Sequence, residues 1–196
     1  KEALTVEPGE KKGLLFDGKT LFNAYFRYHI QGGKGAEISF TYFEKFTKGR
    51  DEVKRDDYRN GEIGNNGRTD RIFPAGGDLL YEPFWYHTMR FLKIEIQAGE
   101  EAVKFYRPQL LKTGYPLRPE SEISSTAEWV QPIYEMCVRT LQDCMMETYM
   151  DCPFWEQMQY PMDTRLQALF TYVCSTDTKL ARKALQDFHD SILPMG

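Results

Sequence analysis

The 196 residues are enough for one large domain or two small ones, each able to bury a core, and a 41% hydrophobic, 14% aromatic composition excludes a disordered chain. A net charge of −4 with interspersed signs gives no electrostatic reason to invoke nucleic acid or an anionic membrane as a partner. No apolar run approaches the roughly 20 residues of a membrane span, and the opening KEALTVEPGEKKG lacks an apolar signal-peptide core.

Residues 13 to 113 carry a period of two. In AYFRYHIQ, Phe26, Tyr28 and Ile30 alternate with Arg27, His29 and Gln31; in RFLKIEIQA, Leu92, Ile94, Ile96 and Ala98 alternate with Lys93, Glu95 and Gln97. GAEISFTYFEKF alternates in the same way, and AVKFYRPQLLK reads as a last strand in which Pro108 demands an edge or a bulge. Gly32-Gly33, Asn60-Gly61, Asn66-Gly67 and Gly76-Gly77 mark turns. Short alternating strands with little helical periodicity between them predict an antiparallel β-sandwich. The polar stretch from Thr47 to Asp78 is too long for a hairpin loop and reads as an excursion with small hairpins at its two Asn-Gly pairs. The rings of Phe84 and Trp85 read as sandwich core, a sugar platform being the other reading.

After TGYPLRPESEISS the period changes. Trp129, Ile133, Met136, Cys137, Thr140, Leu141, Cys144, Met145 and Thr148 describe one helical stripe, with Ser125 or Thr126 as N-cap and Glu128 in the first turn. A second helix opens at Pro161, with Asp163 near its positive end and a stripe of Leu166, Leu169, Phe170 and Val173. A third follows Thr176-Asp177 and carries Leu180, Ala184, Leu185, Phe188 and Ile192 as far as Pro194. The chain is thus expected to be α+β, with a β domain over 1–115 and a helical domain over 116–196. Three wide apolar helix faces call for further helices. The start at Lys1 points the same way, so a piece of a longer protein is expected, its compartment left open. Self-association of the isolated piece is expected too, through its uncovered apolar faces.

Cys137, Cys144, Cys152 and Cys174 form no CxxC pair, and His29, His87 and His189 are scattered, so no metal site or cofactor is expected and buried free thiols are. The chemistry-bearing stretch is DCPFWEQMQYPMDTR, between the first two helices, where Asp151, Glu156 and Asp163 sit among Phe154, Trp155 and Tyr160. Two readings fit these residues. In one, Asp163 serves its own helix, Glu156 is solvated and the rings belong to the core. In the other, an acid flanked by rings is partly desolvated and retains a proton for general-acid catalysis, while rings and carboxylates together suit a sugar.

The order of these residues resembles the signature of the bacterial α-L-rhamnosidases of glycoside hydrolase family 78, in which Asp-Cys-Pro is followed by a glutamate, an aromatic and an aspartate at this spacing. Upstream, LLFDGKTLFNAYFRYHIQGGKGAEISFTYFEKF and EPFWYHTMRFLKIEI are similar to the family's β-domain strands. The resemblance implies a β-sandwich leading into helical hairpins that begin an (α/α)6 toroid. It also implies an inverting hydrolase of rhamnose-containing glycosides. By position in the motif, Glu156 would be the general acid, Asp151 and Asp163 would hold sugar hydroxyls, and Tyr160 and Trp155 would line the sugar pocket. The second carboxylate, which activates water, lies in the family on a much later loop, so this chain alone is expected to be inactive. Where many members carry arginine beside the glutamate, this chain has Trp155, Gln157 and Met158. The competing functional class is a carbohydrate-binding or structural β-sandwich with a helical extension and no chemistry.

Overall fold

In the computed structural model, which describes residues 3–49, 54–63 and 67–193, the alternating stretches become eight strands. They are β1 (Ala3–Val6), β2 (Lys11–Gly32), β3 (Glu37–Phe43), β4 (Gly67–Ile72), β5 (Asp78–Tyr81), β6 (His87–Gln97), β7 (Val103–Tyr106) and β8 (Gln109–Lys112). Three helices follow: α1 (Val130–Asp143), α2 (Pro161–Cys174) and α3 (Lys179–Asp190). The chain divides into two compact units, Lys1–Lys112 and Thr113–Gly196.

In the first unit every pairing is antiparallel, and the order β1-β7-β2-β6-β3-β4 is completed by β5 and β8, both paired to β2. β2 is the organising strand. Ala24 pairs with both His87 and Lys112, and Ile30 with both Leu79 and Phe105, so β2 has neighbours on two sides along its length. Three strand spacings separate β7 from β3 in that order, about 14 Å in a flat sheet. Yet the rings of Phe105 and Phe40 are only 6.3 Å apart. The sheet therefore folds back on itself and encloses its rings, the sandwich arrangement. Phe26, Tyr28, Ile30, Ile38, Phe40, Leu92, Ile94, Ile96, Val103 and Phe105 fill the interior, the same positions that the period of two assigns inward. Tyr28 stacks on Phe40 at 4.0 Å, and its hydroxyl meets that of Tyr42 at 2.9 Å.

The last stretch is two strands instead of one. Pro108 has no N–H to give, and the pairing to β2 breaks between Phe105 and Gln109. The Thr47–Asp78 excursion is closed by Thr47 pairing with Glu62, while Asn60 donates its backbone N–H and its side-chain amide to the Asp57 carboxylate, so no hairpin forms around Asn60-Gly61. Asn66, in the other expected hairpin, and Pro194, the expected end of the third helix, lie outside the described residues. Phe84 and Trp85 are not core: they are 96% and 54% exposed, whereas Pro83 and Tyr86 of that loop are buried, Tyr86 edge-on to Tyr25. His87 stacks on Tyr42 at 3.7 Å and bonds Asp70 at 2.9 Å, a structural role.

In the second unit α2 begins at Pro161 as its sequence implies, with Asp163 in the first turn. α1 begins later than expected, after Trp129 and with no side-chain cap; Ser125 instead accepts the Ala127 N–H in the preceding turn. It also ends earlier, at Asp143, because the Met145–Tyr149 bridge turns the chain away. The core here is Leu117, Leu141, Met145, Tyr149, Cys174, Leu180, Ala181 and Ala184. Cys144 and Cys174 are buried thiols, whereas Cys137, expected inside, is exposed; all four cysteines are free. The expected stripe of α2 faces outward: Leu166, Leu169, Phe170 and Val173 are exposed, and Thr164, Thr171 and Cys174 form the buried side. No helix among the described residues is long and apolar enough to cross a membrane.

Candidate active site

The loop from Cys144 to Tyr160 is fastened to the helical unit by buried rings and polar ties. Tyr149 is enclosed and donates its hydroxyl to Thr171 of α2 at 2.9 Å; Phe154 is likewise enclosed. Gln167 of α2 donates to the Met150 carbonyl at 2.6 Å. The two hydrogen bonds hold the start of the acidic segment against α2. A static base of this kind keeps functional side chains within the narrow tolerances that chemistry requires.

Asp151 closes the segment. Its N–H donates to the Met158 carbonyl and its Oδ1 accepts the Met158 N–H, both at 2.9 Å. Inside this clasp the Glu156 N–H donates to the Cys152 Sγ at 3.2 Å, and the Gln157 side chain donates to the Pro153 carbonyl at 2.7 Å. Gln157 adopts φ 57°, a left-handed conformation that this tight reversal imposes on a residue other than glycine. The turn thereby projects Glu156 beside Asp151 and Tyr160.

Electrostatics registers the same proximity. Partial burial acts to raise the Asp151 carboxyl, but the amides of Met158 and Cys152, with the Cys152 and Glu156 side chains, outweigh it and hold the group below the ordinary carboxylate value. The Tyr160 phenol is pushed up, first by the negative charge of Glu156, with which it also hydrogen-bonds, and further by Asp151 and Asp163. The Cys144 thiol is raised to about 12, by burial first and then by Asp143, Cys152, Asp151 and Asp163.

Thus Asp151, Glu156, Tyr160 and Asp163 are brought into one neighbourhood. Trp155 packs edge-on against Phe154 at 5.0 Å and leaves half its surface open. The expected desolvation of the acid does not occur within this unit: Glu156 is exposed, since Phe154 turns into the core and Trp155 and Tyr160 stay at the surface. Two neighbours had no signal in the spacing. Cys152 matters through its sulfur contact, and Asp143 is a buried acid at the end of α1 that looks, by sequence, like an ordinary helix-surface residue. Among the described residues no cluster of His, Cys, Asp and Glu is arranged to hold a metal ion. A concavity of about 600 Å³ in this unit lies against Tyr115, Asp177 and Lys179 instead of the acids. The acidic group lies at the surface of this unit, with Glu156 and Tyr160 exposed and carboxylate oxygens able to accept hydrogen bonds.

Residues 118–196 match the family model described as the bacterial alpha-L-rhamnosidase 6 hairpin glycosidase domain. Solved structures share the fold. The GH78 family rhamnosidase of Bacillus sp. GL1 aligns with a TM-score of 0.77 at 18% identity, covering 94% of this chain and 18% of that one. The rhamnosidase from Klebsiella oxytoca with rhamnose bound gives 0.64 at 17% identity, over 92% and 36%. The alpha-L-rhamnosidase from Dictyoglumus thermophilum gives 0.61 at 16% identity, over 97% and 22%. The present chain therefore spans between 18% and 36% of the length of these structures. No curated protein sequence matches it.

Proposed function

We propose, from the match of residues 118–196 to the bacterial alpha-L-rhamnosidase 6 hairpin glycosidase domain, that the chain forms part of an inverting hydrolase of terminal α-L-rhamnosides. In this reading Glu156 is the general acid. It gives its proton to the glycosidic oxygen as the bond to the anomeric carbon breaks and positive charge builds on the sugar ring. Asp151, held ionised by the Met158 and Cys152 amides, and Asp163 accept hydroxyl hydrogen bonds and oppose that charge. Tyr160, hydrogen-bonded to Glu156, fixes the acid's direction, and with Trp155 offers ring faces to the C–H surface of the sugar.

Inversion requires a second carboxylate roughly 6.5–9.5 Å from the acid, with water between them. We place that base, and the wall that encloses Glu156, on helical hairpins outside these 196 residues. The short chain by itself then lacks turnover. The observation that carries the reading is the grouping of Glu156 and Asp151 of the clasped loop with Asp163 of the first turn of α2 around Tyr160.

The test is Glu156→Gln in the longer protein, assayed on an aryl α-L-rhamnoside and on a rhamnoside with a poor leaving group. Loss of the acid should lower turnover of the poor leaving group by roughly 10²–10⁴-fold while rhamnose still binds. Unchanged hydrolysis, or turnover by the 196-residue chain alone, would refute the assignment.

A further inference from the structure

The β unit carries a groove of about 910 Å³ that the acidic loop does not use, lined by Leu14, Phe16, Arg27, His29, Leu80 and Tyr106 among others. Its volume is that of a small-molecule site. One wall is aromatic and held in place. The ring of Tyr106 stacks on His29 at 4.3 Å with only 11° between their planes. The Tyr106 hydroxyl donates to Gln31 Oε1 at 2.7 Å, and Asp78 takes hydrogen bonds from both Gln31 and His29, the latter at 2.7 Å. Tyr106, Gln31, Asp78 and His29 thus form one connected frame spanning β7, β2 and β5. Such a frame spares a ligand the entropy of ordering its own site.

Beside this frame lies apolar surface that the fold leaves in the open. Leu80 is opposite His29 in the β2–β5 register and is 59% exposed, across from half-buried Leu14 and Phe16. Two of the wall charges are paired, Arg27 with Glu82 and His29 with Asp78, while Arg107, also on the lining, brings guanidinium donors for hydroxyl oxygens. A ligand with C–H faces and hydroxyls can use the rings, the leucine and the Arg107 donors together.

We propose that this groove is a carbohydrate-binding site of the β unit, taking a short neutral oligosaccharide with one pyranose against the Tyr106, His29 and Leu80 surface. It needs no chemistry and does not depend on Glu156.

The test uses the 196-residue protein with three probes, cellotriose, maltotriose and methyl α-L-rhamnoside, read by saturation-transfer NMR, which tolerates self-association, and by calorimetry. At least one probe should show transfer. Leu80→Glu, at an exposed position, should weaken its binding at least about tenfold without altering the melting temperature. Leu80→Ser should weaken it less, and Tyr106→Phe, which keeps the ring and loses the bond to Gln31, by roughly twofold to fivefold. Glu156→Gln should leave it unchanged, so this site and the acid assignment fail separately. No transfer from any probe, transfer that survives Leu80→Glu, or transfer that is lost in Glu156→Gln would overturn the proposal.

Discussion

Asp17 sits where β2 departs from regular pairing. The register runs from Asp17↔Phe91 to Phe22↔Met89, so the β2 segment between those pairs loops out against a single residue of β6, Arg90. Asp17 fastens both sides of that irregularity. It accepts Arg90 Nε at 3.0 Å and Nη2 at 3.2 Å, a two-pronged pairing, and also the backbone N–H of Lys19 at 2.7 Å, where the chain takes φ 69°. The Arg90 bond chiefly, opposed by partial burial and helped by Lys19, brings the Asp17 carboxyl from 3.8 to about 2. With side chains only 23% and 18% exposed, the pair is little screened. The depressed value corresponds to about 2 kcal/mol of stabilisation. Because the folded value is the lower one, that contribution is present in full above about pH 4 and is lost as pH falls toward 2. Asp17→Asn should therefore destabilise the β unit by about 2 kcal/mol at pH 7 and by progressively less below pH 4. Hydrogen exchange of the β6 amides reads this unit without interference from the helices. A difference between variant and parent that stays constant from pH 7 to pH 2.5, or one under about 0.5 kcal/mol at neutrality, would refute the reasoning.

Tyr42→Phe leaves the buried Tyr28 hydroxyl without its 2.9 Å partner and should cost about 1–3 kcal/mol, whereas the Tyr28→Phe/Tyr42→Phe pair should cost less than the two singles combined; denaturant unfolding in a double-mutant cycle measures this. In native thiol labelling followed by mass spectrometry, exposed Cys137 should react first, and Cys144, whose thiol burial pushes up to about 12, should stay unmodified until unfolding. The outward face of α2 should drive association of the isolated chain. Phe170→Glu with Val173→Lys should shift sedimentation toward monomer while leaving helix content intact, since neither side chain belongs to the buried side.

Strand content and inward positions were legible in the chain because burial on a pleated sheet repeats every second residue, and Phe26, Tyr28, Ile30, Leu92, Ile94 and Ile96 repeat at that interval and are enclosed. The start of α2 was equally legible, since Pro161 and Asp163 act locally. The acid segment could be picked out by the order Asp151, Glu156, Asp163, but not the clasp between Asp151 and Met158 or the Cys152 sulfur contact, which exist only once the loop has closed.

Local interactions depend on neighbours a few residues away, so the sequence alone determined the strand periods, the helix-opening proline and the composition of the acidic loop. Which face of α2 is covered, which two sides of β2 are paired, and how far Glu156 is open to water were decided by the tertiary structure. Those depend on segments distant in the chain meeting in space: Thr171 is buried and bonded to Tyr149, while the leucines of the same helix, with the stronger apolar signal, stay about half exposed. A hydrophobic pattern states what a surface would gain from a partner, and only packing supplies one.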